Sequence, residues 1–277
     1  MPGGGINYVY NALNEFSPNI VAFDANRWDA SFPLVLAYVV GRFRAAFLNA
    51  ENQILHERYY RMVYEGLVSV LGNVLHIPNQ RSGQILTASD NSLVQSACLF
   101  LHAIRQGMSF DEFVRDVRFF CMGDDLIIAD RSGKFTAARV ADTYNSLGIY
   151  LECHATEYHD LASSSFCGTI PVWREYRGNT YLLPLGRVDK LLDSMRWMHK
   201  RGSVCDFVQK AVSILVLVFP DKEVYEQLRA RVQAWVSQNV DTKAYGKTLA
   251  GVLALLYDEN AVFEILMGLE KRNLSFF

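Results

Sequence analysis

The chain has 277 residues, 51% of them hydrophobic and 20% charged, with a formal net charge of −2. That is a soluble globular composition with core enough for one large domain or two smaller ones, and its charge marks no nucleic-acid binder, so any such role has to rest on a local patch. Cys98, Cys121, Cys153, Cys167 and Cys205 form no CxxC pair and no zinc-spaced cluster, which reads as a reduced, intracellular protein.

No basic-then-apolar leader opens the chain, and the longest apolar run, Ala211 to Phe219 with Ser213 inside it, is too short to span a bilayer, so no transmembrane segment is expected. Met1 to Gly5 is Gly-rich and has no core pattern. Asn19 to Phe23 is a short apolar strand that runs into Asp24, and Asp24 and Asp29 form D-x4-D at its carboxyl end. The plain reading of that pair is a cap and a turn. Ser31 followed by Pro33 is a helix start, and Leu34 to Leu48 keeps a helical period. Another helix runs near Gln53 to Tyr64. Leu67 to Leu71 and Val74 to Ile77 read as a hairpin with Gly72-Asn73 as its turn. A loop from Ile77 to Gly83 leads into a long helix from about Ile85 to Arg105. Thr87 and Asn91, at i, i+4, share one face of that helix, and Ser82-Gly83 lies just before it.

A short helix over Asp111 to Val117 feeds the central stretch, Phe119 to Ile128. There an apolar run enters, Gly123-Asp124-Asp125 breaks it, and a second apolar run leaves. This predicts strand, tight turn, strand, with Gly123 supplying the turn's backbone angles. Two adjacent carboxylates at a hairpin tip repel, so a cation is their natural partner. Hard oxygen donors of this kind suit Mg²⁺ or Mn²⁺. Phe135 to Leu147 is helical and ends at Gly148. Ile149 to Glu152 is a strand, and Ser165 to Trp173 with Thr180 to Leu183 form another hairpin. Beyond Pro184 the pattern turns wholly helical, over Arg187 to Lys200, Val204 to Val218, Lys222 to Val236 and Thr242 to Tyr257. The expected division is therefore 1–183, mixed α/β, and 184–277, all helix.

The order Asp24-x4-Asp29, then Ser82-Gly83-x3-Thr87-x3-Asn91, then Gly123-Asp124-Asp125, then Phe166-Cys167-Gly168 resembles motifs A, B, C and E of positive-strand RNA virus RNA-dependent RNA polymerases. Ala141 to Glu152 looks like motif D. Met122 before the Gly, and the wording SGQ-x2-T, look closer to sobemovirus-like or astrovirus-like enzymes than to picornaviruses. The resemblance covers about Ile20 to Trp173. It implies an α+β fold: a right-hand polymerase palm, an antiparallel sheet with flanking helices and a ferredoxin-like core, followed by an all-helical thumb. It also implies template-directed nucleotidyl transfer from NTPs to an RNA 3′-hydroxyl, with two Mg²⁺ ions (Mn²⁺ as a substitute) held by Asp24, Asp124 and Asp125. By the same resemblance Asp29 and Asn91 recognise the ribose, supported by Ser82 and Thr87, while Gly83 lets the loop flex. Phe166, Cys167 and Gly168 position the primer. The implied partners are RNA template, primer or product, and NTPs, in replication complexes of the host cytoplasm.

The departures are informative. Family members often carry a late motif D Lys, but Cys153 to His159 holds none, and His154 is the candidate general acid against its reading as a surface residue. Only about twenty residues precede Asp24, and no Lys or Arg precedes Arg27. The expectation is a palm and thumb whose fingers region is missing, a chain able to bind metal without polymerising alone, working with that region or with other viral replication proteins. Arg187, Lys190 and Arg201 lie on one helical face and form a candidate contact for the RNA backbone, or a solvated charged face. Two rival functions stand beside polymerisation. One is a catalytically incomplete remnant that serves as an RNA-binding or assembly module. The other is a reverse transcriptase, disfavoured by Met122 where that family keeps an aromatic.

Overall fold

The computed structural model describes residues 3–25, 28–65, 67–76, 86–152, 157–196, 203–240 and 242–268, some of them, Asp24, Asp29 and Glu152 included, by backbone alone. In chain order come α1 (Gly3–Phe16), β1 (Ile20–Ala25), α2 (Trp28–Ser31), α3 (Leu34–Ala45), α4 (Ala50–Tyr64), β2 (Leu67–Val70), β3 (Asn73–His76), α5 (Thr87–Arg105) and α6 (Phe110–Asp116). Then follow β4 (Val117–Met122), β5 (Asp125–Asp130), α7 (Ala137–Asn145), β6 (Leu151–Glu152), β7 (Thr169–Tyr176) and β8 (Asn179–Gly186). The chain closes with α8 (Val188–Arg196), α9 (Val204–Val218), α10 (Lys222–Asn239), α11 (Thr242–Tyr257) and α12 (Glu259–Met267). These elements form two compact units, Phe16–Asp160 and Met1–Glu15 with Leu161–Phe277.

The Phe16–Asp160 unit is built on an antiparallel sheet of order β4-β5-β1-β6. Its central strands β5 and β1 pair from Ile20↔Ala129 to Phe23↔Leu126. Leu126 and Ile128, and Val21 and Phe23, alternate at the period of a strand and join one core with Val94, Cys98 and Leu99 of α5, Phe113 of α6, and Val140 and Tyr144 of α7. α6 starts on a capping box between Ser109 and Glu112, a signal written in the local sequence. His102 is fully buried in α5 between the Thr143 hydroxyl, 2.8 Å from Nδ1, and the Lys134 carbonyl, 3.1 Å from Nε2. Burial lowers its pKa, so the ring stays neutral there.

A buried charge ties α3 and α4 to α5. Asp90 is 1% exposed. Its carboxylate accepts from Arg44 Nε at 2.7 Å, from the Tyr60 hydroxyl at 2.9 Å and from the Tyr64 hydroxyl at 2.8 Å. Three helices thus converge on one anion, as a buried charge requires. Burial and the Asp90 charge together raise the Tyr60 pKa, which keeps its hydroxyl a donor. α3 lies close on that ring: a Cβ at Gly41 would stand 2.9 Å from Tyr60 Cδ1.

The other unit holds the β7–β8 hairpin, α1 and helices α8 to α12. Leu183 of β8 sits in one core with Val212 and Leu215 of α9, Val232 and Val236 of α10, and Leu249 of α11. Buried Arg174 of β7 donates to the Phe219 carbonyl and pairs with Glu259 at 3.2 Å. Ser203, Asp221 and Asp258 cap α9, α10 and α12.

Several expectations are corrected. The division does not fall at 183/184: the hairpin that ends near Gly186 shares its core with the helices, so it belongs with them. Pro184 lies inside β8, opposite Pro171, where a two-stranded ribbon leaves room for a residue without an N–H. The β2–β3 turn is Leu71-Gly72, not Gly72-Asn73, because Val70 pairs with Asn73 and both turn residues have positive φ (53° and 83°). Ser31 ends α2, and α3 begins after Pro33 without a side-chain cap. α1 and α12 are additional helices. The Gly run disfavours α1 locally, and the buried Val9, Tyr10 and Leu13 hold it instead.

Asp90→Ala removes the common acceptor of Arg44 and Tyr60. It is expected to cost about 3–5 kcal/mol, read as a lower urea midpoint of the full chain.

Candidate active site

The β4–β5 hairpin closes at Met122↔Asp125, leaving Gly123 and Asp124 as its turn. Gly123 takes φ +66°, and a Cβ there would meet nothing within 4 Å. The turn therefore needs glycine for its backbone angle, not for space. Asp124 is exposed and Asp125 half-buried.

Helix α5 holds this turn. The Gly123 N–H donates to Ser92 Oγ at 3.0 Å, and Gln95 Nε2 donates to the Asp124 carbonyl at 2.9 Å. Gln95 Oε1 accepts from the Tyr144 hydroxyl at 2.6 Å. Burial raises the Tyr144 pKa well above that of an ordinary tyrosine, so the phenol remains a donor. Cys121 Sγ, its own pKa raised by burial, donates to the Ser92 carbonyl at 3.4 Å.

Strand β1 reaches the same end of the sheet. Its last residue paired with β5 is Phe23, opposite Leu126, and its next, Asp24, pairs with Glu152 of β6. The backbone of Asp24 thus lies one step beyond a pair whose other member directly follows Asp125. The side chains of Asp24 and of Asp29, in α2, lie outside the described residues. Among the described residues no group of three or more His, Cys, Asp or Glu is placed to hold a metal ion.

Asn91 is 4% exposed, and its Oδ1 has no hydrogen-bond partner among the described residues. A buried acceptor of this kind costs free energy until a donor arrives. Thr87 is the first residue of α5 and half-buried. Ser82, Gly83, His154 and Arg201 lie outside the described residues. In the other unit Phe166 and Thr169 exchange both backbone hydrogen bonds, at 2.9 and 3.1 Å. Cys167 and Gly168 between them have φ of 51° and 70°. Tyr10 of α1 pins this turn by donating to the Thr169 carbonyl at 2.8 Å. Arg187 stands 3.9 Å from Asp189, and Lys190 is exposed.

Ser92, Gln95 and Tyr144 were not among the residues singled out from the sequence. The available signal was Asn91 and Gln95 at i, i+4, two amides on one face of the long helix.

This combination of sheet and turn defines a polymerase palm, and the comparisons agree. The model of the viral RNA-dependent RNA polymerase family matches residues 1–244, and the chain belongs to that family. It is similar to the genome polyprotein of Pea seed-borne mosaic virus, 26% identical over 218 residues, which covers 73% of this chain and 7% of the polyprotein. Against the polyprotein of Watermelon mosaic virus II it is 27% identical over 110 residues, 38% of this chain and 11% of the relative. The solved Sicinivirus 3Dpol RNA-dependent RNA polymerase matches with a TM-score of 0.68 at 18% identity, over 93% of this chain and 55% of that one. The chain thus spans about half of the solved polymerase it matches and a small part of each polyprotein. The fold is that of a viral polymerase, a mixed palm followed along the chain by a helical thumb. These relatives lend no support to the narrower likeness to sobemovirus-like or astrovirus-like enzymes. Among the described residues no helix is long and apolar enough to cross a membrane.

Gly123→Ala is expected to destabilise the chain by about 1–2 kcal/mol through left-handed backbone strain alone, measured as a lower thermal midpoint.

Proposed function

We propose that this chain carries the catalytic core of an RNA-directed RNA polymerase, which extends an RNA 3′-hydroxyl with NTPs against an RNA template. The observation that carries this reading is the pairing of β1 with β5. It sets the backbones of two acidic stretches side by side although 100 positions (124 − 24) separate Asp24 from Asp124. The donor set fits divalent cations: Asp24, Asp124 and Asp125 offer only hard carboxylate oxygens, and Asp124 stands exposed at its turn. A pair of Mg²⁺ ions, or Mn²⁺ in their place, held by these residues would supply charge stabilisation to the transferring phosphoryl group and to the leaving pyrophosphate.

The remaining roles belong to the chain itself. Asn91 turns its Oδ1, without a partner among the described residues, to the ribose 2′-hydroxyl, which can donate to it, and Asp29 shares that contact. Thr87 and Ser82 support the pair, and Gly83 gives the preceding loop its freedom. The Phe166-Cys167-Gly168 turn, closed by its own backbone bonds, supports the primer's 3′ end. His154 is the candidate proton donor to pyrophosphate, and Arg187, Lys190 and Arg201 are candidates for the product backbone. A fingers region, or other viral replication proteins, completes the nucleotide site in the replication complexes of the host cytoplasm.

In an RNA primer-extension assay with Mg²⁺, Asp24→Asn and Asp124→Asn are each expected to reduce extension by at least about 10²-fold. The assay is run on this chain and on the chain joined to a fingers region. Binding of RNA without extension in both formats would turn the reading into that of a binding module. Asn91→Ala is expected to relax NTP over dNTP selectivity by about ten-fold, the worth of one lost hydrogen bond. Unchanged selectivity removes Asn91 from ribose recognition.

A further inference from the structure

The Asp124 carbonyl belongs to the peptide that links Asp124 to Asp125. Rotation of that peptide plane changes the relative direction of the two side chains that follow from it. A two-residue turn leaves this carbonyl, unlike the N–H of the same peptide, without a ladder partner across the hairpin. In this chain the missing partner comes from α5: Gln95 Nε2 donates to the Asp124 carbonyl at 2.9 Å. The peptide on the other side of Gly123 is held too, by Ser92 Oγ at 3.0 Å.

Gln95 is poised for this contact at both ends. It is fully buried, and its Oε1 accepts from the fully buried Tyr144 at 2.6 Å. The Asp124 carbonyl can only accept, so it takes the amide nitrogen, and the amide oxygen is left toward α7, where it accepts from the phenol. Its helical neighbours Val94, Cys98 and Leu99 are all buried apolar residues. An amide in such a place is costly unless its hydrogen bonds are made. Both of its polar atoms are spent on the line from α7 to the hairpin tip.

We propose that Gln95, braced by Tyr144, is a positioning residue that fixes the Asp124–Asp125 peptide and thereby sets how tightly the two carboxylates bind a divalent cation. The inference rests on the reading of Asp124 and Asp125 as metal ligands.

The test is Mn²⁺ binding to the full chain, followed by the electron paramagnetic resonance of the free ion. Gln95→Met keeps the length of the side chain and removes both hydrogen bonds. It is expected to weaken Mn²⁺ binding by about ten-fold, the size usual for loss of an outer-shell partner of a metal ligand, with the circular dichroism unchanged. Tyr144→Phe is expected to weaken it in the same direction, and to add nothing in the Gln95→Met background, because it acts through the amide. If Gln95→Met fails to fold, the milder Tyr144→Phe carries the test. Val94→Ala, a core truncation on the same helix, is expected to leave Mn²⁺ affinity within about two-fold, since it opens a cavity without touching the turn. Equal weakening by Val94→Ala overturns the inference, because general loosening would then suffice. Loss of binding in Asp124→Asn with unchanged binding in Gln95→Met and Tyr144→Phe overturns it and leaves the metal reading intact. Absence of Mn²⁺ binding in the unsubstituted chain overturns both.

Discussion

Neighbouring carboxylates on a hairpin tip repel each other, and a two-residue turn offers little main-chain bonding to resist that repulsion. The Phe16–Asp160 unit answers with a helix instead of with more strand. Ser92 and Gln95, three positions apart on α5, take hold of the peptides that flank Gly123 and Asp124. The buried sheet behind the tip supplies rigidity: Leu126, Ile127, Ile128 and Ala129 are all fully buried. The exposed Asp124 is thus carried on a backbone that is fixed from one side by packing and from the other by hydrogen bonds.

The same helix anchors a second buried polar network, in which Asp90 gathers Arg44, Tyr60 and Tyr64. Asp90 and Asn91 are consecutive, so they leave α5 in different directions. One is saturated by α3 and α4, while the other keeps an unpartnered oxygen among the described residues. Burying a charge is worthwhile only when its partners are in place, and here two helices, α3 and α4, provide them.

The sequence was legible where local chemistry and periodicity agree. The Gly123-Asp124 turn, the strand before Asp24, the long helix through Asn91 and the capped helices α9 and α10 all stand close to their expected places, within the usual drift of element ends. It was illegible where tertiary packing overrules the local signal. A Gly-rich start becomes α1 because Val9, Tyr10 and Leu13 find a core. Pro184, an apparent boundary, sits in a ribbon whose neighbour asks no N–H of it. The hairpin of β7 and β8 reads as part of the mixed region until Leu183 is seen among the helices.

Residue types and spacing by themselves determined the local elements and put acidic, amide and hydroxyl groups at intervals that resemble those of a polymerase palm. This is so because turns, caps and strand alternation are short-range properties of the chain. Tertiary structure alone decided that β1 lies beside β5, that a glutamine and a tyrosine far apart in sequence brace one peptide, and that an aspartate next to Asn91 is already engaged. Those facts depend on contacts between residues tens to a hundred positions apart, and no local propensity encodes which distant partner a buried donor or a strand edge will meet.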